Sequence, residues 1–134
     1  MTDPDAIFKP GAAASPPPPL RAGILAASRL SREYELGTHS ILALSAIDLE
    51  VEEGSLVAIQ GRSGSGKTTL LNLFGGLDRP TAGTVQLDGA ELTELTEAQL
   101  VEVRRDKIGF IFQAFGLIPI LTARENVEVP MRLT

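Results

Sequence analysis

The chain has no cysteine and a single histidine, His39. Without thiols it has no disulfides, thiolate metal centres or cysteine nucleophile, and one imidazole is too few for a zinc site. The formal charge of −5 over 134 residues leaves no basic stripe to displace the counterions of a nucleic-acid backbone, so no nucleic-acid partner is expected. Long apolar runs are missing too. The longest uncharged stretch, Ile108 to Ala123, is 16 residues long and contains Gln113, Pro119 and two glycines, short of the ~20 apolar residues that span a bilayer. The early charges, Asp3 and Asp5, are acidic and no apolar core of a secretory leader follows them. Cytoplasmic location is therefore the expectation, with docking onto an integral membrane partner left open.

What is present is a globular chain behind an unusual start. Residues 1–21 hold Pro16 to Pro19 without apolar periodicity, which predicts an extended, solvated tail. Residues 22–134 are expected to form one unit, since 43% apolar content suffices for a core.

Its centre is Gly61-Arg62-Ser63-Gly64-Ser65-Gly66-Lys67-Thr68, which fits the pattern Gly, four residues, Gly-Lys-Ser/Thr. Glycines lack a Cβ, so Gly61, Gly64 and Gly66 let the backbone bring several amides close to one triphosphate. Lys67 adds a cation for the β and γ phosphates, and the Thr68 hydroxyl suits Mg²⁺. The flanks agree. Leu56 to Ile59 is a continuous apolar run, expected to be a buried parallel strand, and Leu70, Leu73, Phe74 and Leu77 mark one face of a helix that Gly75-Gly76 ends. That helix presents its N-terminus to the phosphates.

Around this centre, Ile24 to Leu30 reads as a first strand, with Ser31 to Tyr34 as its polar exit and a loop over Glu35 to Ser40. Tyr34, the only tyrosine, is either a purine-stacking ring or an aromatic packed at a strand rim. Ile47 to Glu52 alternates apolar and acidic, which puts Asp48, Glu50 and Glu52 on a wet face. Val85 and Leu87 mark a half-exposed strand closed by an Asp88-Gly89 turn. Thr96 with Gln99, and Thr122 with Glu125, form capping boxes that open two helices, the first running to about Arg105 with Leu100 and Val103 facing inward. Arg104 and Arg105 suit the negative end of that helix. Ile108 to Phe112 has the content of a buried strand and ends at Gln113, where a glutamine could orient water or join a Mg²⁺ shell, or simply start a surface loop.

The ordered set Tyr34, Gly61 to Asn72, Phe110-Ile111-Phe112-Gln113 and Leu117 to Val127 resembles the first part of an ATP-binding-cassette (ABC) transporter ATPase, most like the lipoprotein-release and macrolide-export branch. The resemblance covers about residues 24 to 134. It implies an α/β fold of the P-loop NTPase kind with an antiparallel β subdomain, and ATP with Mg²⁺ as cofactors. It also implies that Gly61, Ser63, Gly64, Ser65, Gly66, Lys67, Thr68 and Thr69 bind the phosphates and that Tyr34 stacks on adenine. Gln113 becomes the catalytic-loop glutamine that touches Mg²⁺, alongside Thr68, and links the nucleotide to a membrane subunit. The implied partners are integral membrane permease subunits and a second ATP-binding subunit, on the inner face of the cell membrane.

The family's Leu-Ser-Gly-Gly-Gln signature, Walker B acid and switch histidine have no counterpart in these residues, and His39 precedes the loop. Little hydrolysis by this polypeptide alone is therefore expected. Strands to flank Leu56 to Gln60 are also partly lacking, which predicts marginal stability. Two alternatives stand beside the transporter reading. One is a non-catalytic nucleotide-binding fragment; the other is a different phosphate-loop enzyme, although no Asn-Lys-x-Asp motif of a GTPase is present.

Overall fold

The computed structural model describes residues 24–114, 116–129 and 131. Two long strands, β1 (Leu25–Leu36) and β2 (His39–Val51), form an antiparallel hairpin about the turn at Gly37-Thr38. Strand β3 (Ala82–Leu87) pairs with the other edge of β1, and the short β4 (Ala90–Glu91) pairs with β3. The sheet order is β2-β1-β3-β4 and every pairing is antiparallel, as the resemblance implies.

The first strand runs further than its apolar content suggests. Ser31 to Tyr34 lie within β1 and not in an exit, and most of Glu35 to Ser40 is strand on either side of a tight turn. What permits this is a bulged register between Ala27 and Glu33, where side chains replace ladder partners. The Arg29 amide donates to Asp48 Oδ1 at 2.7 Å and the Ala46 amide donates to Ser31 Oγ at 2.8 Å. Asp48, Glu50 and Glu52 are exposed, as their alternation predicts.

Helix α1 (Lys67–Phe74) lies against the sheet and buries Leu70, Leu73 and Phe74. They meet Ala27 and Leu30 of β1, Leu44 of β2 and Val85 of β3 in one core, closed at the far side by Leu92 and Leu100. Burying a Leu or Phe side chain is worth about 1.5–3 kcal/mol, so these three contacts hold the helix in place. Leu77 falls beyond the Gly75 cap and is exposed, so it does not continue the stripe. Leu92 sits in a single 3-10 turn (Leu92–Glu94), and Leu100 in α2 (Glu97–Lys107), where Val103 packs on the core edge. Both capping boxes are formed, at Thr96/Gln99 for α2 and at Thr122/Glu125 for α3 (Ala123–Glu128). Arg104 reaches across to the Gly76 carbonyl at 2.7 Å, so it serves the end of α1 and not that of its own helix. Arg105 pairs with Asp106, and Lys107 with Asp88.

Two expected strands are not formed. Leu56 to Gln60 and Ile108 to Phe112 run without ladder partners, and Leu56 is 99% exposed where burial on both faces is expected. The physical reason is that a parallel strand exists only beside another: all described ladders belong to the antiparallel sheet. Ile59 alone of the first segment packs on the core. The second segment is pinned by Phe110, whose ring fills the space where Gly75 lacks a side chain. The proline-rich stretch 1–21 lies outside the described residues.

Candidate phosphate-binding site

The loop from Gly61 to Gly66 enters α1 with no side-chain cap; Gly66 is the N-cap, in the left-handed region at φ 85°. A Cβ there would lie 2.5 Å from the Ala43 carbonyl oxygen and 2.8 Å from a Leu44 methyl, so only glycine fits. The first helical bond is from the Leu70 amide to the Gly66 carbonyl at 2.8 Å. The amides of Lys67, Thr68 and Thr69 therefore lack intrahelical acceptors and sit at the positive end of the helix dipole.

Lys67 Nζ donates to the carbonyl oxygens of Gly61 at 2.9 Å and Arg62 at 2.6 Å, and to Ser65 Oγ at 3.3 Å. Its partners are all neutral, and among the described residues no carboxylate pairs with it. Gly64 to Thr69 line an open cavity of about 220 Å³ whose opposite wall is Ile41, Leu42 and Ala43 of β2. Gly61 and Ser63 are exposed and do not line it. Sequence reading missed this wall because it assigned no strand between Leu30 and Ile47. The run of apolar residues from Ile41 to Leu44 is the signal that was there to find.

Tyr34 is half-buried on β1, opposite Ile41 in the β1–β2 register, and so one strand removed from the cavity wall. Its hydroxyl donates to Asp78 Oδ2 at 2.7 Å, and the Arg32 guanidinium lies 4.3 Å from its ring centroid. Arg32 in turn holds both Asp78 oxygens, through Nε at 2.9 Å and Nη2 at 2.8 Å. Burial alone pulls the Asp78 carboxyl upward. Hydrogen bonds from Tyr34, the Arg79 amide and Arg32 outweigh it and hold the group below the ordinary carboxylate range.

Gln113 is exposed, and no hydrogen bond joins it to the loop. The segment after it is organised by Asn126, whose side chain bonds the Ile118 amide and the carbonyls of Ile118, Leu121 and Thr122. Leu117, Ile118, Pro119, Leu121 and Val127 then frame an apolar cavity of about 430 Å³. No group of acidic or histidine side chains among the described residues is arranged to hold a metal by itself. No helix among them is long and apolar enough to cross a membrane.

A glycine-rich loop of this spacing that opens directly into a helix on its lysine defines a phosphate-loop NTPase of the α/β class. The family model described as ABC transporter matches residues 44–134, and the chain belongs to that family. It is 49% identical over 102 residues to the ABC transporter ATP-binding protein MJ0796 of Methanocaldococcus jannaschii, covering 76% of this chain and 43% of that protein. It is 46% identical to the ABC transporter ATP-binding protein YknY of Bacillus subtilis, over 78% of this chain and 45% of the relative. It is 48% identical to the macrolide export ATP-binding/permease protein MacB of Rhodopseudomonas palustris, over 75% of this chain and 15% of the relative. The chain thus spans less than half the length of these curated relatives. Among solved structures it is similar to the MJ0796 cassette in a dimeric post-hydrolysis state bound to ADP and Pi, with TM-score 0.77 and 46% identity over 81% of this chain and 47% of that one. Family membership removes the GTPase and small-molecule kinase alternatives.

Proposed function

We propose that this chain supplies the phosphate-binding part of an ABC transporter's ATP-binding component. The observation that carries the reading is Lys67, a cation bonded only to neutral oxygens at the mouth of a helix whose first amides lack acceptors. Such a site has unbalanced positive potential and suits a polyphosphate. The amides of Gly64 to Thr69 and the Lys67 ammonium take the β and γ phosphates of ATP. The cavity lining contains no carboxylate, so Mg²⁺ is held by the Thr68 hydroxyl together with phosphate oxygens. Gly61, Ser63 and Ser65 shape the loop, and Tyr34 takes the base beyond the β2 wall.

Gln113 would join Thr68 in holding Mg²⁺ and would link the nucleotide to a membrane subunit. The apolar cavity at Leu117 to Val127 supports such a contact. In the intact family arrangement the partners are integral membrane permease subunits and a second ATP-binding subunit, at the inner membrane face, acting in export or lipoprotein extraction. The names of the relatives, which include an ATP-binding/permease protein, and the dimeric state of the similar cassette support this.

Titration calorimetry of the 134-residue chain with Mg-ATP and with Mg-tripolyphosphate tests the site. Saturable 1:1 binding of both is expected, and heats indistinguishable from dilution would reject the assignment. In a complete transporter, Gln113→Ala is expected to retain ATP binding and lose transport. Loss of nucleotide binding itself would show that the coupling role is wrong.

A further inference from the structure

We propose that Arg32 and Asp78 are positioning residues for the nucleotide base: together they fix the Tyr34 ring so that only one of its faces is offered for stacking. The inference rests on the reading of Tyr34 as the base-binding aromatic. Three contacts close a ring of interactions. Arg32 covers one face of Tyr34 at 4.3 Å, the Tyr34 hydroxyl is tied to Asp78 at 2.7 Å, and the bidentate pair between Arg32 and Asp78 joins cover and tie. A forked guanidinium–carboxylate pair has a fixed plane, so the cation cannot drift off the ring without breaking two charge-assisted bonds.

The parts come from different elements. Arg32 and Tyr34 are two apart on β1, and therefore on one face, while Asp78 follows the end of α1. The Asp78 carboxylate is itself anchored by the Arg79 amide at 2.7 Å, and its segment is stitched to β1 through the Thr81 amide on the Ser31 carbonyl at 2.9 Å. The aromatic is thereby indexed to the helix that carries the phosphate loop, which fixes the distance between base and phosphates. A ring immobilised before binding gives up no rotamer freedom when a base arrives, so its stacking is worth more than that of a mobile ring.

Tyr34 is the only tyrosine and there is no tryptophan, so the tyrosine emission of the full chain, excited at wavelengths where phenylalanine does not absorb, reports this ring alone. Mg-ATP is expected to change that emission, whereas Mg-tripolyphosphate, which lacks a base, is not. Arg32→Met and Asp78→Asn are each expected to weaken Mg-ATP binding about three- to tenfold while leaving the affinity for Mg-tripolyphosphate unchanged. Tyr34→Ala should show the same split, and combining it with Arg32→Met should cost nothing further. Circular dichroism checks each fold; if Arg32→Met is unfolded, Arg32→Lys, which keeps the charge and loses the fork, takes its place. Unchanged Mg-ATP affinity in the Arg32 and Asp78 variants, with Tyr34→Ala weakened, would overturn the positioning role and leave the base-stacking reading intact. Unchanged affinity in Tyr34→Ala would overturn that reading, and the positioning role with it.

Discussion

Gly66 stands so close to Ala43 that a Cβ on the glycine would lie 2.5 Å from the alanine carbonyl oxygen. This one approach joins the phosphate loop to β2, and the left-handed φ of 85° at Gly66 aims the loop amides into the cavity between them. Gly66→Ala meets both the steric clash and the strained φ, and is expected to destabilise the chain by about 1–3 kcal/mol. Urea unfolding measures that loss, and calorimetry should show Mg-tripolyphosphate binding lost with it. Unaltered stability would mean that β2 does not press on the loop.

The Asp78 network gives stability a defined pH dependence. Its carboxyl titrates below the ordinary value of 3.8 in the folded chain, so the stabilisation is present above that value and is lost as pH falls through the folded pKa. Asp78→Asn is expected to cost about 1–2 kcal/mol at pH 7. The difference from the unsubstituted chain should shrink below about pH 4. Paired urea melts across that range check the sign; a gap that widens in acid would contradict it.

Helix α2 begins on a complete capping box, with the Gln99 amide donating to Thr96 Oγ1 at 3.4 Å and the Thr96 amide to Gln99 Oε1 at 2.9 Å. Thr96→Ala leaves the Gln99 backbone donor without its partner and is expected to cost about 1 kcal/mol. The loss should appear as a lower urea midpoint with an unchanged slope.

Leu56 and Ile111 are almost fully exposed and Phe112 is 64% exposed, on extended segments whose backbone has no ladder partner. Such edges pair with whatever strand they meet. The chain alone is expected to associate as its concentration rises in sedimentation runs, and Leu56→Glu with Ile111→Glu should shift it toward monomer. A monomeric chain with a high, two-state thermal midpoint would contradict this.

Sequence reading succeeded where the information is local. The loop spacing, the glycines that end α1, both capping boxes and the Asp88-Gly89 turn depend on residues within a few positions of one another, and the structure forms all of them. It failed where a segment's state depends on a distant neighbour. Leu56 to Ile59 is as apolar as a buried strand, but becomes one only beside a partner. The polar run Ser31 to Tyr34 is strand because β2 and Thr81 supply its bonds. The clamp on Tyr34 was out of reach for the same reason, since Arg32 and Asp78 are 46 residues apart.

The central claim is that Lys67, held by the carbonyl oxygens of Gly61 and Arg62, exchanges those neutral partners for the phosphates of a nucleotide. Titration calorimetry of Mg-ATP against the unsubstituted chain and Lys67→Ala tests it most directly. The account predicts measurable 1:1 binding that is abolished by the substitution, with the circular dichroism unchanged. Equal affinity in the two chains would contradict it.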